Sequence, residues 1–146
     1  MKIILCVDDN NGMMFNNRRQ SQDSLLRQKI AEICKDSPVY MNSYSAKQFQ
    51  DECNLIVNDN FLELADDDDF CFVENVAVNP SKIKKIYLFK WNRKYPADFY
   101  FDIKPKEIGL MLTKKEEFEG SSHKKITLEV YEWVSLLKHS KRHWFL

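Results

Sequence analysis

The sequence contains very little glycine. Only Gly12, Gly109 and Gly120 occur in 146 residues, whereas glycine usually makes up about 7% of a protein. Because the three are far apart, the chain has no Gly-Gly pair, no G-x-G-x-x-G motif and no P-loop. A nucleotide site whose phosphates rest in a glycine-rich loop is therefore excluded.

The chain also lacks an excess of charge and a long hydrophobic run. Twenty-two Lys and Arg residues balance 22 Asp and Glu residues, so a strongly basic nucleic-acid-binding protein is not expected. No run approaches the ~20 apolar residues of a membrane helix, and the apolar stretch 2–7 is too short for a signal peptide. We therefore expect a cytoplasmic protein with no membrane partner.

Four cysteines occur without C-x-x-C spacing and with no histidine close to them in sequence. This pattern predicts reduced, structural thiols rather than a disulfide framework or a metal site. The aspartates at 66–69 lack the glycine-turned spacing of a calcium loop, and they are predicted to form a solvated turn. No metal is expected. The cysteines are Cys6, Cys34, Cys53 and Cys71.

What is present is a large apolar fraction, 44% of the chain, with ten Phe, six Tyr and three Trp, which is enough for the core of one domain. In the first half, short apolar runs alternate with helical patterns, and residues 13–22 are predicted to form an irregular loop. In the second half, extended stretches flank a hairpin turn at 119–122. We therefore predict one α/β domain with a mostly parallel central sheet, flanking helices and a C-terminal antiparallel hairpin. The predicted strands are 2–7, 39–41, 55–57, 70–73 and 83–91, followed by extended stretches at 95–101, 109–118 and 124–134, and the predicted helices are 21–36, 43–52 and 61–65.

Local motifs occur along the chain in a characteristic order. C-V-D-D-N-N-G-M at 6–13 precedes an acidic residue, Asp23, at the start of the first helix. The motifs P-V-Y-M, N-L-I-V, K-I-Y-L, A-D-F-Y-F, S-H and I-T-L-E-V-Y-E then follow in sequence. This order resembles the dihydrofolate reductase family over nearly the whole chain. The resemblance implies that family's fold over residues 1–146, NADPH as cofactor, a folate or pterin substrate, and Asp23 as the residue that holds the pterin ring.

The departures from that family lie in its functional loops. Glu74 and Asn75 stand where the family has a Gly-Gly pair, beside the nicotinamide and pyrophosphate. The segment 42–45, N-S-Y-S, replaces a phosphate-binding Gly-Arg-x-Thr, and Phe89 replaces a threonine that supports the pterin-binding acid. A carboxylate near phosphates is both bulky and repulsive, and the lost arginine removes a two-point phosphate contact. We therefore expect that orthodox NADPH binding has been lost.

The candidate site residues fall into two groups. Asp23 is the candidate catalytic residue, because a carboxylate can accept two hydrogen bonds from a pterin or guanine edge; the alternative is a residue that stabilises the start of a helix. Ser43, Ser45, Arg18 and Arg19 are candidate phosphate-binding residues, with helix capping and solvation as their alternatives. No catalytic triad is indicated, and His123 is interpreted as a support of the hairpin. The expected ligand cleft is bounded by Val7, Asp23, Tyr44, Val73 and Phe89.

Three functions remain open. The first is a small-ligand-binding or regulatory module that binds a small planar or nucleotide-like ligand and has lost orthodox cofactor binding. The second is an NAD(P)H-dependent oxidoreductase that acts on a pterin, folate or flavin. The third is a partner-binding protein that uses the basic and aromatic tail at 138–146 together with residues 82–85. A homodimer through the terminal edge strands is compatible with all three.

Overall fold

A computed structural model describes residues 1–134 of the chain. The basic and aromatic tail at 138–146, on which the partner-binding hypothesis depends, lies outside the described residues. The strands are β1 (Lys2–Val7), β2 (Gly12–Phe15), β3 (Arg18–Arg19), β4 (Val39–Met41), β5 (Leu55–Val57), β6 (Phe70–Phe72), β7 (Lys85–Lys90), β8 (Phe99–Tyr100), β9 (Met111–Phe118) and β10 (Ile126–Glu132). The helices are α1 (Ser24–Cys34), α2 (Ser43–Ala46) and α3 (Phe61–Leu64), and two 3₁₀ segments lie at Pro80–Lys82 and Pro105–Ile108.

Seven strands form the central sheet in the order β5-β4-β6-β1-β7-β10-β9. The first five of these are parallel, and β10 is antiparallel to both β7 and β9. The parallel strands β1, β4 and β6 are short apolar runs that are largely buried, as expected of parallel strands covered on both faces. Strand β5, at the edge of the sheet, is partly exposed. The predicted α/β architecture with a C-terminal antiparallel hairpin is confirmed.

The central strand β1 shows how the core is divided between the two faces of the sheet. Successive side chains of a strand point to opposite faces, so Ile3, Leu5 and Val7 pack on one side and Ile4 packs on the other. The first side also holds buried residues of the second sheet, and α1 covers the other side. Each face of β1 therefore has its own core.

The prediction of an irregular loop over residues 13–22 is wrong in part. It contains β3 and most of β2, which with β8 make a second sheet in the order β3-β2-β8. Met13 and Met14 are buried there, so this polar segment is held by packing rather than by strand propensity. The second helix is also shorter than predicted, because regular structure ends at Ala46 rather than near residue 52.

The structure also bears on the predicted thiols, on membrane helices and on the edge of the central sheet. The four cysteines are free thiols, and burial raises the pKa of Cys34 and Cys71 to about 12. Among residues 1–134, no helix is both long and apolar enough to cross a membrane. Strand β9 forms one edge of the central sheet, and the homodimer predicted through the terminal edge strands stays a prediction.

Candidate functional site

The carboxyl ends of β1, β4 and β6 meet at one edge of the central sheet. The chain passes from β1 to β4, and β6 later inserts between them. In open α/β sheets, ligands bind in the crevice outside the strand ends where the order changes in this way. The residues that follow these strands are Asp8, Asn42 and the pair Val73–Glu74. A ligand site is therefore expected in the crevice at these strand ends.

The side chain of Glu74 occupies this crevice. Arg19 donates to its carboxylate at two points, with Nε to Oε2 at 3.0 Å and Nη2 to Oε1 at 3.2 Å, and Ser45 Oγ donates to Oε1 at 2.8 Å. The side chains of Arg19 and Glu74 are only 20% and 10% exposed. A charge pair of this geometry closes the crevice between the second sheet and the end of β6.

Tyr44 and Asn42 close the crevice on the side of α2. The Arg19 guanidinium lies over the Tyr44 ring, 4.4 Å from its centroid, and the Arg19 amide donates to the Tyr44 hydroxyl at 2.8 Å. Asn42 caps α2 by accepting from the Ser45 amide at 3.0 Å. The cavity that remains beside Arg19 and Glu74 has a volume of about 10 Å³, which is close to the minimum that holds one water molecule.

The carboxylate of Asp23 is buried and makes hydrogen bonds in two directions. It caps α1 by accepting from the amides of Leu25 at 3.0 Å and Leu26 at 3.1 Å, and it accepts from the amides of Ser121 and Ser122 at 2.9 Å each. Burial alone would raise the pKa of Asp23, but these bonds outweigh it and hold that pKa well below its ordinary value. Asp23 therefore stays ionised and ties the hairpin turn to α1.

His123, next to this turn, links Asp23 to two hydroxyl groups. Its Nδ1 lies 3.0 Å from Asp23 Oδ2, and its Nε2 lies 3.1 Å from Ser21 Oγ and 3.1 Å from the Tyr95 hydroxyl. The imidazole stacks on Trp91 with ring centroids 4.5 Å apart. An ionised Asp23 carboxylate can only accept a hydrogen bond from His123 Nδ1. A neutral imidazole in this position therefore carries its proton on Nδ1, and its Nε2 is a hydrogen-bond acceptor.

Asp8, directly after β1, holds the loop beside the crevice. Its Oδ1 accepts from the amides of Asn10 and Gly12, at 2.9 and 2.7 Å, and its Oδ2 accepts from Gln20 Nε2 and the Tyr95 amide, both at 3.1 Å. A Cβ added to Gly12 would lie 2.6 Å from the Ala97 side chain. This glycine is therefore required by close packing of the loop.

An open concavity of about 550 Å³ lies on the other side of Arg19. Two arginines and two aromatic residues contribute to its wall. Positive charge beside aromatic surface suits a small, planar, anionic molecule. The lining residues are Phe15, Asn16, Arg18, Arg19, Gln20, Tyr95 and Pro96.

Comparison with known proteins shows the fold. No protein-family model and no curated protein matches the sequence. The solved structure of dihydrofolate reductase from Enterococcus faecalis, in complex with NADP(H) and RAB-propyl, is similar with a TM-score of 0.61, and the match covers 90% of this chain and 94% of that one. The fold is that of dihydrofolate reductase. Sequence identity over the match is 7%, so the similarity extends to the fold alone.

This dihydrofolate reductase-like fold does not bring the five predicted cleft residues together. Val7 and Val73 are buried in the core on one face of the sheet, where Tyr44 packs against them, whereas Phe89 is buried on the opposite face. There Phe89 meets Phe118 edge to face, with ring centroids 6.2 Å apart. Asp23 lies beneath the hairpin turn. A single cleft bounded by all five residues is therefore not formed.

The four predicted phosphate-binding residues are also divided. Arg19 and Ser45 meet, but they meet on the Glu74 carboxylate. Ser43 is exposed, and its amide and its hydroxyl both donate to Asp59 Oδ1, at 3.0 and 2.9 Å; these bonds, the amide's first, lower the pKa of Asp59. Arg18 is exposed and lines the open concavity. Of the four, Arg18 is the residue placed to meet an anion there, because the Arg19 guanidinium is engaged by Glu74.

Within the dihydrofolate reductase-like fold, two side chains matter more than the sequence suggested. Glu74 was recognised only as a replacement for glycine, although a charged residue directly after a buried strand was a usable signal. His123 was interpreted as a support of the hairpin, which its bond to Asp23 agrees with. Its contact with Ser21 was missed, because 102 residues separate the two and no local pattern connects them.

Proposed function

We propose that this chain is a dihydrofolate reductase-like protein that has lost orthodox NADPH binding and acts as a small-ligand-binding module. One observation carries the proposal: the Glu74 carboxylate sits in the crevice, held by Arg19 at 3.0 and 3.2 Å and by Ser45 at 2.8 Å. The dihydrofolate reductase similar in fold was solved with NADP(H). Glu74 stands where the family places glycine.

Three physical effects oppose a dinucleotide in this crevice. A fixed carboxylate repels phosphate groups, and the repulsion is strong where water is largely excluded. The cavity of about 10 Å³ leaves no room for a nicotinamide ring. Arg19, which could meet a phosphate, is already engaged by Glu74. Entry of NADPH would require breaking the hydrogen bonds that Arg19 and Ser45 make to Glu74.

The open concavity beside Arg18 and Arg19 is the favoured place for a ligand. Phe15 is 41% exposed there, and Tyr95 lies on the same wall. An aromatic or nucleotide-like ring can pack on these side chains while its anionic group meets a guanidinium. This combination supports a small planar anion, such as a nucleoside monophosphate, rather than a dinucleotide.

The test is a thermal-shift and calorimetric titration of the full chain with NADPH, NADH, folate and AMP. A ligand that binds only the folded state raises the unfolding temperature. We expect AMP to raise it and NADPH to leave it unchanged, and Arg18→Ala to abolish the AMP shift while Lys35→Ala, an exposed change after α1, preserves it. Binding of NADPH at micromolar Kd would contradict the proposal. Oxidation of NADPH with a folate, pterin or flavin substrate would favour the reductase hypothesis instead.

A further inference from the structure

Three side chains from two distant segments form a continuous hydrogen-bonded row. Ser21 Oγ lies 3.1 Å from His123 Nε2, and His123 Nδ1 lies 3.0 Å from Asp23 Oδ2. We propose that this row is a nucleophilic site that cleaves short anionic esters, with Ser21 as nucleophile, His123 as general base and Asp23 as the positioning residue. This activity goes beyond the proposed binding function and does not depend on it.

The row meets two geometric requirements for an activated serine. A nucleophile and its base must lie within hydrogen-bond reach, and a third group must orient the base. The Asp23 carboxylate is fixed by four backbone amides, so it can stay charged and hold the proton on His123 Nδ1. The lone pair of Nε2 then faces the Ser21 and Tyr95 hydroxyls, each at 3.1 Å.

The base is sheltered while the nucleophile is reachable. His123 is 4% exposed and stacks on Trp91, which keeps water away from the imidazole, and Ser21 is half-buried. Ser21 itself lines the small cavity of about 10 Å³. Arg19 and Gln20 line both that cavity and the open concavity, and Tyr95, whose hydroxyl also lies 3.1 Å from Nε2, is on the wall of the concavity. An ester held in the concavity would therefore have to reach Ser21 past the side chain of Gln20.

The reaction needs only an ester and water. Ser21 Oγ forms a bond to the carbonyl carbon while His123 Nε2 takes the hydroxyl proton. The carbon–oxygen bond to the leaving alcohol then breaks, and that alkoxide receives the proton from His123, which leaves an acyl group on Ser21. Water attacks the acyl-serine with His123 again as base, the acid is released and Ser21 regains its proton. No oxidation or reduction occurs.

The charge of the concavity indicates the substrate class. Arg18 and Arg19 line it, although the Arg19 guanidinium is already paired with Glu74, and among the described residues no carboxylate lines it. A guanidinium binds a carboxylate or phosphate group by two parallel hydrogen bonds. A short acyl ester that carries such a group can be held there with its carbonyl near Ser21. Neutral esters of the same size lack this contact and are expected to react more slowly.

The decisive experiment treats the folded full-length protein with a fluorophosphonate probe, in which the serine oxygen displaces fluoride from phosphorus. Peptide mapping by mass spectrometry then identifies the modified residue. We expect one adduct, on Ser21, that is absent from Ser21→Ala and forms about 100-fold more slowly in His123→Gln, because a general base contributes at least that factor. Ser37→Ala, a change of an exposed serine, is the matched control and keeps the adduct.

A second measurement keeps the proposal testable if His123→Gln does not fold. The 4-nitrophenyl half-ester of succinic acid is compared with 4-nitrophenyl acetate, each rate being taken above the rate without protein, and Ser21→Ala is expected to reduce hydrolysis of both to the protein-free rate while its unfolding temperature stays near that of the wild type. Arg18→Ala is expected to remove the preference for the anionic ester. The proposal is overturned if the folded wild type gives no Ser21 adduct, or if the Ser21→Ala variant hydrolyses either ester at the wild-type rate.

Discussion

The Arg19 guanidinium donates two hydrogen bonds to the Glu74 carboxylate, from Nε to Oε2 at 3.0 Å and from Nη2 to Oε1 at 3.2 Å. The pair joins β3 of the second sheet to the end of β6 in the central sheet. Because both side chains are largely buried, the pair is both a stabilising link and an obstacle in the crevice. The closed crevice and the stability of the fold therefore depend on the same contact.

Removing both partners of this pair should cost less stability than the two single removals added together. Arg19→Met leaves the Glu74 carboxylate largely buried without its counter-charge, and we expect a loss of about 2–4 kcal/mol in the free energy of unfolding. The double variant Arg19→Met with Glu74→Met should lose less than the sum of the two single changes. Urea unfolding measures all three. Lys84→Met, which breaks an exposed pair with Asp68, should cost much less than Arg19→Met, because solvent screens the exposed pair. Equal losses for the two variants would contradict the prediction.

Ser45 and Ser43, both predicted from sequence to meet phosphate, should differ in their effect on stability. Ser45 is 1% exposed and its hydroxyl donates to Glu74 at 2.8 Å, so Ser45→Ala leaves a buried carboxylate with one bond fewer. We expect a loss of about 1–3 kcal/mol. Ser43 is exposed and donates to exposed Asp59, so Ser43→Ala should cost less than half as much. The two variants are compared by chemical unfolding, and a larger loss for Ser43→Ala would contradict this assignment.

The sequence allowed most of the central sheet to be predicted, because buried parallel strands are short apolar runs that stand out between polar turns. The strands in the segment 12–19 were harder to predict from sequence. They are short, and their buried apolar side chains are those of Met13 and Met14. Phe89 was assigned to a ligand cleft, yet the alternation of side chains along β7 places it with Tyr87, away from Ile86 and Leu88. The strand periodicity, applied residue by residue, would have assigned that face.

The site was harder to predict because it is assembled from remote segments. The Glu74 carboxylate meets Arg19 across 55 residues, and His123 meets Asp23 across 100. Residue types indicate what each group can donate or accept, but pairing across such distances depends on how the loops dock. Asp23 was correctly singled out as a charged residue at the start of a helix. Its four amide donors became apparent only once the hairpin turn was placed beside α1.

Gly120 is required by the close approach of the hairpin turn to Asp23. A Cβ added at this position would collide with the Asp23 carboxylate and lie 2.8 Å from Ile126 Cδ1. Both neighbours are buried, so Gly120→Ala should destabilise the protein by about 1–3 kcal/mol through overpacking. Gly109→Asn is the matched control, because Gly109 has a φ of 84° with open space around it and asparagine tolerates that conformation. Calorimetric unfolding that ranks Gly109→Asn as the more damaging change would contradict the argument.

Acid should weaken the fold through Asp23. In the folded state the pKa of Asp23 lies below its ordinary value of 3.8, against the effect of burial, because the Ser122 and Ser121 amides, His123 and the Leu26 amide bind the charged form. The unfolded chain therefore binds the proton more readily. The stabilisation is complete above about pH 5 and is lost as the pH falls through 3.8 toward the folded-state value. Its size at neutral pH is on the order of 2 kcal/mol.

Asp23→Asn isolates this contribution, because the amide cannot titrate and supplies only one acceptor oxygen. The variant should be less stable than the wild type at neutral pH, and the difference should shrink as the pH is lowered from about 5 to 2, because in that range the Asp23 carboxylate of the unfolded wild-type chain takes up a proton while that of the folded chain stays ionised. Urea unfolding at each pH gives the difference directly. Asp51→Asn, at an exposed carboxylate, provides the comparison and should show a small difference throughout. A gap between wild type and Asp23→Asn that widens in acid would mean that Asp23 does not bind the hairpin turn in its charged form.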